Sequence, residues 1–373
     1  MEIIQIDPTN RRQTRLFLDL PFRIYRHTPQ WVPPLASDAA LVLDRRRYPF
    51  YEHSEAAFYL AMEGERAVGR IAAIDNRNFN EFHKSETGFF YLFECEDNRE
   101  AALGLFEAAC AWARGRGLKK MWGPKGFTAL DGLGLLVKGF EYPPATGIPY
   151  NPPYYEQLVE AAGFKPFDDD VSGFLDARTY RFPDKIHELS ARVMERRGLR
   201  IARFRTKDEL RAIIPSLREL YNNSLGENFD QVPLTEGEMK LLSEQILAVA
   251  DPKLVKIIMK DNQPVGFLLA YPNITAALRR TRGKLFPFGW IDLLLELKRT
   301  RTIDVNGAGI LKEYQGLGGP AILFSEMHKS VMEGRFHYAE LVQVSVHNSK
   351  MQLAMRDLGL DFRKVHRVYE KEL

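Results

Sequence analysis

The chain has 373 residues, 45% of them hydrophobic and 27% charged, and its 52 basic residues nearly balance its 49 acidic ones for a net charge of +3. That length corresponds to about two domains, and the composition excludes collagen-like, coiled-coil and disordered chains. The balanced charge argues against nucleic-acid binding over the whole surface. Cys95 and Cys110 form no CxxC pattern. We therefore expect no disulfide scaffold, no metal and a reducing compartment.

The N-terminal residues and the hydropathy of the chain bear on its location. The opening sequence MEIIQIDPTNRRQTR contains acidic residues and lacks the apolar core of a signal peptide. No stretch reaches the roughly 18 apolar residues that a membrane-spanning helix needs. We therefore expect a cytoplasmic protein that is at most peripheral to the inner membrane.

Two parts of the chain share one pattern. FYLAMEGERAVGRIAAI (58–74) and LVKIIMKDNQPVGFLLAY (254–271) each predict a β-hairpin whose second strand begins with Val-Gly. An asparagine stands 82 residues after each glycine, Asn151 after Gly69 and Asn348 after Gly266, and opens a helix-like segment. A strand-like run follows each segment. The repeated spacing predicts two copies of one unit, each an α/β fold with a mixed sheet, divided near residue 180.

The first copy contains two unusual stretches. Its strand-to-helix turn, FFYLFECEDNREAALGLF (89–106), is acidic and has no glycine pair, which disfavours binding of an anion. A dense run of aromatic residues and prolines follows in 121–127 and 139–158. This run is either a rigid loop packed on a helix start or a substrate wall, with Tyr150 and Tyr154 facing the second copy.

A basic and apolar insertion, AALRRTRGKLFPFGWIDLLLELKRTR (276–301), interrupts the second copy. Seven basic residues against two acidic ones give it a charge of +5, and they flank an apolar centre that contains Phe288 and Trp290. This pattern suits a membrane interface or an acyl-chain site. It also suits an amphipathic helix packed on its own domain, or, with less support, a nucleic-acid contact.

The most informative stretch is TRTIDVNGAGILKEYQGLGGPAILFSEMHKSVMEG (300–334), a strand-like run, a glycine-rich turn and a helix. Closely spaced glycines at a helix start let backbone N–H groups approach a pyrophosphate, although two glycines also form ordinary tight turns. The dinucleotide pattern GxGxxG and the Gly-Lys-Ser/Thr of a phosphate-binding loop are both missing. The turn therefore indicates a phosphate-bearing ligand other than NAD or a nucleoside triphosphate.

The turn resembles the acyl-CoA motif of the GCN5-related N-acetyltransferase (GNAT) superfamily, Arg/Gln-x-x-Gly-x-Gly/Ala, with Gln315 first, Gly318 fourth and Pro320 in place of the last Gly/Ala. The resemblance implies that Asn348 lies beside the bound CoA and that Met355 replaces the tyrosine often used as general acid. It further implies CoA contacts from Gly309, Ile310, Leu311, Gln315, Gly316, Leu317, Gly318, Gly319, Pro320 and Ala321.

With WVPPL (31–35) and YPFYEHSEAAFYLA (48–61), nearly the whole chain resembles the bacterial ceramide synthase-like branch of that superfamily. The resemblance implies an N-terminal domain (1–180) without the CoA motif and a C-terminal N-acyltransferase domain (181–373). The implied enzyme moves an acyl group from acyl-CoA or acetyl-CoA to an amine, with a long chain and a lipid-like, sphingoid-type amine favoured. The alternatives are acetyl transfer to a small polar amine, a non-catalytic acyl-CoA or lipid-binding protein, and a structural partner protein.

The candidate catalytic residues follow from strand alternation. Asp304 and Asn306 fall on one face of the strand in 302–311, and Asp304 is the candidate base, although a solvated or paired carboxylate is the alternative. Asn348 or a backbone N–H near Ile310 would polarise the carbonyl. We expect Phe288 and Trp290 to contribute to an apolar wall for the acyl chain.

Overall fold

The computed structural model describes residues 1–128, 131–224 and 230–373. The first half contains, in chain order, β1 (Glu2–Gln5), α1 (Arg11–Ile24), α2 (Ala36–Leu41), β2 (Glu55–Glu63), β3 (Arg66–Asp75), α3 (Arg77–His83), β4 (Thr87–Cys95), α4 (Arg99–Gly115), β5 (Lys120–Gly123), β6 (Leu135–Lys138), α5 (Tyr155–Ala161) and β7 (Lys165–Asp176).

The second half begins with a helix that has no counterpart in the first half. Its elements are α6 (Asp184–Arg197), β8 (Leu199–Ala202), α7 (Lys207–Ser224), α8 (Glu236–Val249), β9 (Val255–Lys260), β10 (Gln263–Pro272), α9 (Thr275–Thr281), α10 (Gly289–Arg299), β11 (Thr302–Ile310), α11 (Gly319–Glu333), β12 (Tyr338–Ser345), α12 (Ser349–Asp357) and β13 (Asp361–Glu372). The predicted mixed α/β class is confirmed.

One continuous mixed sheet crosses the molecule. Its strand order is β1-β2-β3-β4-β5-β13-β7-β12-β11-β10-β9-β8, with β6 paired to β13. The two predicted hairpins are β2–β3 and β9–β10, and each half has one parallel pair, β4 with β5 and β11 with β12. The halves exchange their last strands, because β7 pairs with β12 and β13 pairs with β5. The division near residue 180 stays a prediction.

Helices cover both faces of the sheet in each half. In the second half, α11 covers one face through residues such as Ile322 and Leu323, and α7 covers the other through Leu210 and Leu220. In the first half, α4 covers one face, and the side chains of α1 join an aromatic cluster on the other. Burial of each large apolar side chain contributes about 1.5–3 kcal/mol, so these layers supply most of the stabilisation.

The two asparagines of the repeat have different roles. Asn348 caps α12, because its Oδ1 accepts a hydrogen bond from Met351 N at 3.1 Å. The prediction that Asn151 opens a helix is wrong, since α5 starts four residues later. Pro152 follows Asn151 and disfavours helical backbone there. The Asn151 side chain instead holds β6, accepting from Leu136 N at 2.7 Å and donating to Leu136 O at 3.1 Å.

Candidate active site

The candidate site begins where two parallel strands separate. Strands β11 and β12 pair only over 302–305 and 338–341. Beyond these residues a cavity of about 280 Å³ opens between them, lined by 306–308 of β11 and by 342–345 of β12. A bulge opposite Leu269 redirects β11 at this point, and Gly307 adopts a φ of +106° that favours glycine.

Most of the cavity wall is apolar. Helix α7, helix α8 with the residues just before it, and strand β10 close it with aliphatic and aromatic side chains, among them Leu210, Ile214, Leu217, Leu234, Met239, Leu242, Ile246, Leu247 and Phe267. Each CH₂ group of a ligand buried against such a wall contributes about 0.8 kcal/mol. The cavity is therefore chemically suited to an alkyl chain.

Three carboxyl groups also line the cavity, those of Asp131, Asp170 and Asp230. Burial raises the pKa of Asp131, whose carboxylate accepts from Thr128 N at 2.7 Å. Burial also raises the pKa of Asp170 well above its ordinary value, and the neighbouring Asp230 adds to that shift. Burial lowers the pKa of Lys125, whereas these three carboxylates oppose the shift. The apolar cavity therefore has one acidic region.

The glycine-rich turn lies between β11 and α11. Gly316 and Gly318 have φ values of +73° and +86°, and Gly318 is the N-cap of α11. Within the described part of the chain, the N–H groups of Gly316, Leu317 and Gly318 donate no hydrogen bond. A Cβ on Gly319 would lie 2.6 Å from Ile310 Cδ1. Free N–H groups at a helix start, in a turn where positive φ values favour glycine at Gly316 and Gly318, fit a pyrophosphate.

The remaining predicted CoA contacts lie next to this turn. Gly309 and Ile310 pair with β10 along one edge of β11, and the other edge has no strand partner after Val305 among the described residues. Gln315 Nε2 donates to Ile310 O at 3.1 Å and so ties the turn to the end of β11. Leu311 N donates to Val265 O at 3.0 Å. The free edge of β11 has backbone groups available for an amide-bearing chain such as pantetheine.

Asn348 lines the cavity, and Met355 does not. The Asn348 Oδ1 caps α12, which leaves its Nδ2 without a hydrogen-bond acceptor among the described residues. Met355 is fully buried with Leu358 and Leu360 in a separate apolar cluster. The residue at the position of the usual general acid is therefore part of the core.

Asp304 is fully buried below the cavity and does not line it. Its carboxylate accepts from Asn273 Nδ2 at 2.9 and 3.0 Å and from Thr146 N at 2.9 Å, while burial raises its pKa. Asn306 lines the cavity and donates to Tyr271 Oη at 3.2 Å. The role of Asp304 as base stays a prediction, and these contacts describe a structural hydrogen-bond acceptor.

The four predicted substrate contacts do not line the cavity. Phe288 and Trp290, at the start of α10, are 73% and 47% exposed. Tyr150 Oη donates to Phe140 O, and Tyr154 Oη donates to Cys95 O, each at 2.8 Å within the first half. Their substrate contacts stay predictions.

Sequence reasoning missed Asp131 and Asp170, which reach the cavity from the first half. The available signal was the run Asp168-Asp169-Asp170, three consecutive acidic residues within a strand near the centre of the sheet. Such a run usually indicates a solvated segment.

The equivalent space in the first half is filled by its own side chains. Strands β4 and β5 pair over 87–89 and 120–122, after which Phe90 O accepts from Lys125 N at 2.9 Å. Phe127 packs there against Phe50, with ring centroids 5.1 Å apart. The turn residue Glu96 binds the guanidinium of Arg66 at 2.6 Å.

Comparison with solved structures defines the fold class. A tandem GNAT protein from the clavulanic acid biosynthesis pathway, solved without AcCoA, matches with a TM-score of 0.58 and 12% identity, covering 100% of this chain and 98% of that one. A GCN5-related N-acetyltransferase from Sphaerobacter thermophilus matches with a TM-score of 0.50 and 14% identity, covering 100% and 95%. The chain has the tandem GNAT fold.

Two curated bacterial proteins are similar to the chain over nearly its full length. The bacterial ceramide synthase of Caulobacter vibrioides (strain NA1000 / CB15N) is 29% identical over 376 residues, which cover 97% of this chain and 95% of that protein. Protein YghO of Escherichia coli (strain K12) is 28% identical over 371 residues, covering 98% and 94%. No family model matches the chain. The resemblance predicted from the sequence is confirmed.

In the described residues, no helix has both the length and the apolar character needed to cross a membrane. The same residues contain no group of three or more His, Cys, Asp or Glu side chains arranged to hold a metal ion.

Proposed function

We propose that this protein is an acyl-CoA-dependent N-acyltransferase that transfers a long acyl chain to a lipid-like amine. One observation carries the proposal: the cavity between the separated ends of β11 and β12 is walled largely by apolar side chains. The name of the Caulobacter relative, bacterial ceramide synthase, supports an amide-forming reaction on a lipid. The GNAT fold supports acyl-CoA as the acyl donor.

The proposed CoA contacts are on the second half. The free N–H groups of Gly316, Leu317 and Gly318 would bind the pyrophosphate, and the unpaired edge of β11 after Val305 would bind the pantetheine. The first half has the acidic turn Glu96-Asp97-Asn98 at the equivalent position. Like charge would repel a pyrophosphate there, so one CoA per chain is expected.

Acyl-CoA supplies a thioester whose carbonyl carbon accepts the amine. In the proposed reaction the C–N bond forms, the C–S bond breaks, the CoA thiolate leaves and takes up a proton, and the amine nitrogen loses one. Asn348 lines the cavity, its Nδ2 donates to no acceptor among the described residues, and it would stabilise the developing charge on the carbonyl oxygen. The apolar wall excludes water, which would otherwise compete with the amine.

A thiol-release assay tests the proposal. Acetyl-CoA and palmitoyl-CoA would each be offered with sphinganine and with a small polar amine, and free CoA would be followed with a thiol reagent. We expect the highest kcat/KM for palmitoyl-CoA with sphinganine. Preference for acetyl-CoA with the small amine, or thiol release that no amine accelerates, would contradict the proposal.

We also propose that α10 brings the protein to an anionic membrane surface. Six apolar side chains of the insertion are at least 39% exposed: Phe286, Phe288, Trp290, Ile291, Leu294 and Leu295. Arg280 pairs with both acidic residues of the insertion, Asp292 at 2.9 Å and Glu296 at 2.5 Å, so the other six cations of the segment are not neutralised within it. Exposed apolar side chains between cations match the chemistry of anionic headgroups above acyl chains.

A further inference from the structure

The acidic region of the cavity combines residues of both halves. Lys125, Asp131 and Asp170 belong to the first half, and Asp230 belongs to the second. All three carboxyl groups line the same cavity as the apolar side chains of α7 and α8. With three acidic groups and one basic group, the region favours a positively charged ligand.

Asp170 differs from the two acidic residues before it. Asp168 accepts from Ser345 Oγ at 3.1 Å and lies 3.2 Å from His347 Nε2, and Asp169 forms two hydrogen bonds with Arg367, at 2.8 and 3.0 Å. Asp170 is only 5% exposed, and its carboxylate accepts no hydrogen bond within the described part of the chain. A buried carboxyl group without a hydrogen-bond donor is costly, so it indicates a ligand or a catalytic role.

The surroundings restrict the ligand that Asp170 would bind. Asp230 and Asp168 both raise the pKa of the Asp170 carboxyl, so an anion such as a fatty-acid carboxylate would be repelled. The apolar wall disfavours a small, strongly hydrated cation. A primary ammonium group on an alkyl chain satisfies both parts of the cavity, because its head is cationic and donates three hydrogen bonds while its chain is apolar.

We propose that Asp170, with Asp230 beside it, binds the ammonium group of a long-chain amine and accepts its proton. This inference rests on the proposed function, for which it supplies the amine site and the base. One proton moves from the ammonium nitrogen to the Asp170 carboxylate, and the nitrogen lone pair then forms the C–N bond with the thioester carbon. As the C–S bond breaks, the nitrogen gives its second proton to the leaving CoA thiolate. The carboxyl group returns the proton to solvent after the amide has left.

This assignment gives the first half a part in the reaction. It binds no CoA in the proposed scheme, yet β7 carries Asp170 into the second half through its pairing with β12, where Asp170 is opposite Ser345. Asp131 follows β5 in the first half and reaches the same cavity. The exchanged strand thus places the amine site of one half beside the proposed acyl-CoA site of the other.

Ligand binding to the full-length protein separates this inference from turnover. Dodecylamine and dodecanol, both below their aggregation concentrations, would be titrated by calorimetry into the wild type, Asp170→Asn, Asp230→Asn and Asp169→Asn. We expect Asp170→Asn to weaken dodecylamine binding about tenfold to a hundredfold, the effect of losing a charged hydrogen-bond partner, and to leave dodecanol binding unchanged. Asp230→Asn should have a smaller effect of the same kind. Asp169→Asn is the control, because it removes a negative charge next to Asp170 whose carboxylate binds Arg367 and does not line the cavity.

The outcomes distinguish the two proposals. Equal losses for dodecylamine and dodecanol in Asp170→Asn, or no dodecylamine binding by the wild type, would overturn the amine site even if thiol release occurs. Selective loss of dodecylamine binding supports the amine site even if no acyl transfer is found, and in that case only the enzyme proposal fails. If transfer is found, the pH at which kcat/KM is half-maximal should shift in Asp170→Glu, and an unchanged pH profile in Asp170→Asn would overturn its role as base.

Discussion

At the scale of single residues, the glycine turn offers the clearest test of CoA binding. A Cβ on Gly318 would lie 2.9 Å from Val193 Cγ2, and its φ of +86° strains any side chain. Gly318→Asp adds a negative charge beside the proposed pyrophosphate site. We expect at least about tenfold weaker CoA binding by calorimetry, equivalent to about 1.4 kcal/mol.

Two variants separate charge from strain at this turn. Gly318→Ala carries the strain without the charge and should lose less affinity than Gly318→Asp. Gly64→Asp places the same charge at a φ of +61° in the β2–β3 turn, where a Cβ meets no atom within 4 Å. It should bind CoA as the wild type does. Equal affinity of Gly318→Asp and Gly64→Asp for CoA would show that the turn is not part of the CoA site.

Asp170 also affects the stability of the fold, and its surroundings decide whether its contribution to the free energy of unfolding is positive or negative at a given pH. Burial raises its pKa well above the ordinary value, Asp230, Asp168 and Asp169 add to the shift, and Lys125 opposes it. A carboxyl whose pKa is higher in the folded state stabilises the fold below its unfolded pKa of about 3.9 and loses that contribution as the pH rises through its folded pKa. The unliganded protein therefore loses stability at neutral pH because of Asp170.

The prediction is that Asp170→Asn is more stable than the wild type near neutral pH. Replacing a buried carboxyl group that lies near three other acidic groups and accepts no hydrogen bond within the described residues should raise the free energy of unfolding by about 1–3 kcal/mol. The difference should shrink as the pH falls and disappear below about pH 3, where the carboxyl is protonated in the unfolded as well as the folded state. Urea titrations of both proteins across this range measure it. Lower stability of Asp170→Asn at neutral pH would show that the carboxylate has a stabilising partner.

The residues of the candidate site differ in how visible they are in the sequence. The turn from Gln315 to Ala321 is a contiguous pattern with a local physical reason, so a glycine-rich turn at a helix start was predictable, and its binding of an anion stays a prediction. Asp170 was not, because its position in the cavity depends on pairing between β7 and β12, whose partners Asp170 and Ser345 are far apart in the chain. Asp304 illustrates the same limit. Strand alternation predicts which face of β11 Asp304 is on, but it does not predict that Asn273 and Thr146 donate hydrogen bonds to its carboxylate.

At the scale of elements, α10 carries the prediction of membrane contact. Phe288→Ser with Trp290→Ser removes two of its most exposed aromatic side chains. We expect the double variant to lose most of its co-sedimentation with phosphatidylglycerol vesicles, while the wild type should bind these vesicles less at high salt. The fold should be unaffected, since α10 has no buried residue. Phe82→Ser is the matched control, because Phe82 is a 45% exposed aromatic residue on α3.

Two outcomes would contradict the membrane contact. Equal losses in the double variant and in Phe82→Ser would indicate general surface hydrophobicity, and undiminished binding by the double variant would place the contact elsewhere. Acyl transfer between soluble short-chain substrates should continue in the double variant, because Phe288 and Trp290 do not line the cavity.

Most elements were predictable where their signals are local. Both hairpins follow from apolar runs around turn residues, and the capping box of α8 follows from Thr235 and Glu238. The helix expected at Asn151 failed because Pro152 shifts the helix start to Tyr155. The exposure of α10 was not predictable, because an amphipathic pattern does not reveal whether another part of the chain covers its apolar face.

At the scale of the whole molecule, the strand exchange makes the two halves dependent on each other. The 82-residue spacing from glycine to asparagine, which occurs twice, predicts two similar units, but it cannot show which unit receives each last strand. In the structure β7 lies between β12 and β13, and β13 lies between β5 and β7. A chain ending at residue 180 would leave β7 without either neighbour.

We therefore predict that neither 1–180 nor 181–373 folds stably alone, although the boundary matches the sequence repeat. The first half would expose both edges of β7, and the second would expose β13 on both sides together with the free edge of β12. Unpaired strand edges bury less apolar surface and favour aggregation. Produced together, the two fragments should assemble into a one-to-one complex, because each supplies the strand that the other lacks. Circular dichroism on heating should show a single cooperative transition for the complex and none for either fragment. A cooperative transition in either fragment alone would show that this half keeps its core without the exchanged strand. The position of Asp170 in the cavity would then depend on a separable contact between two independent domains.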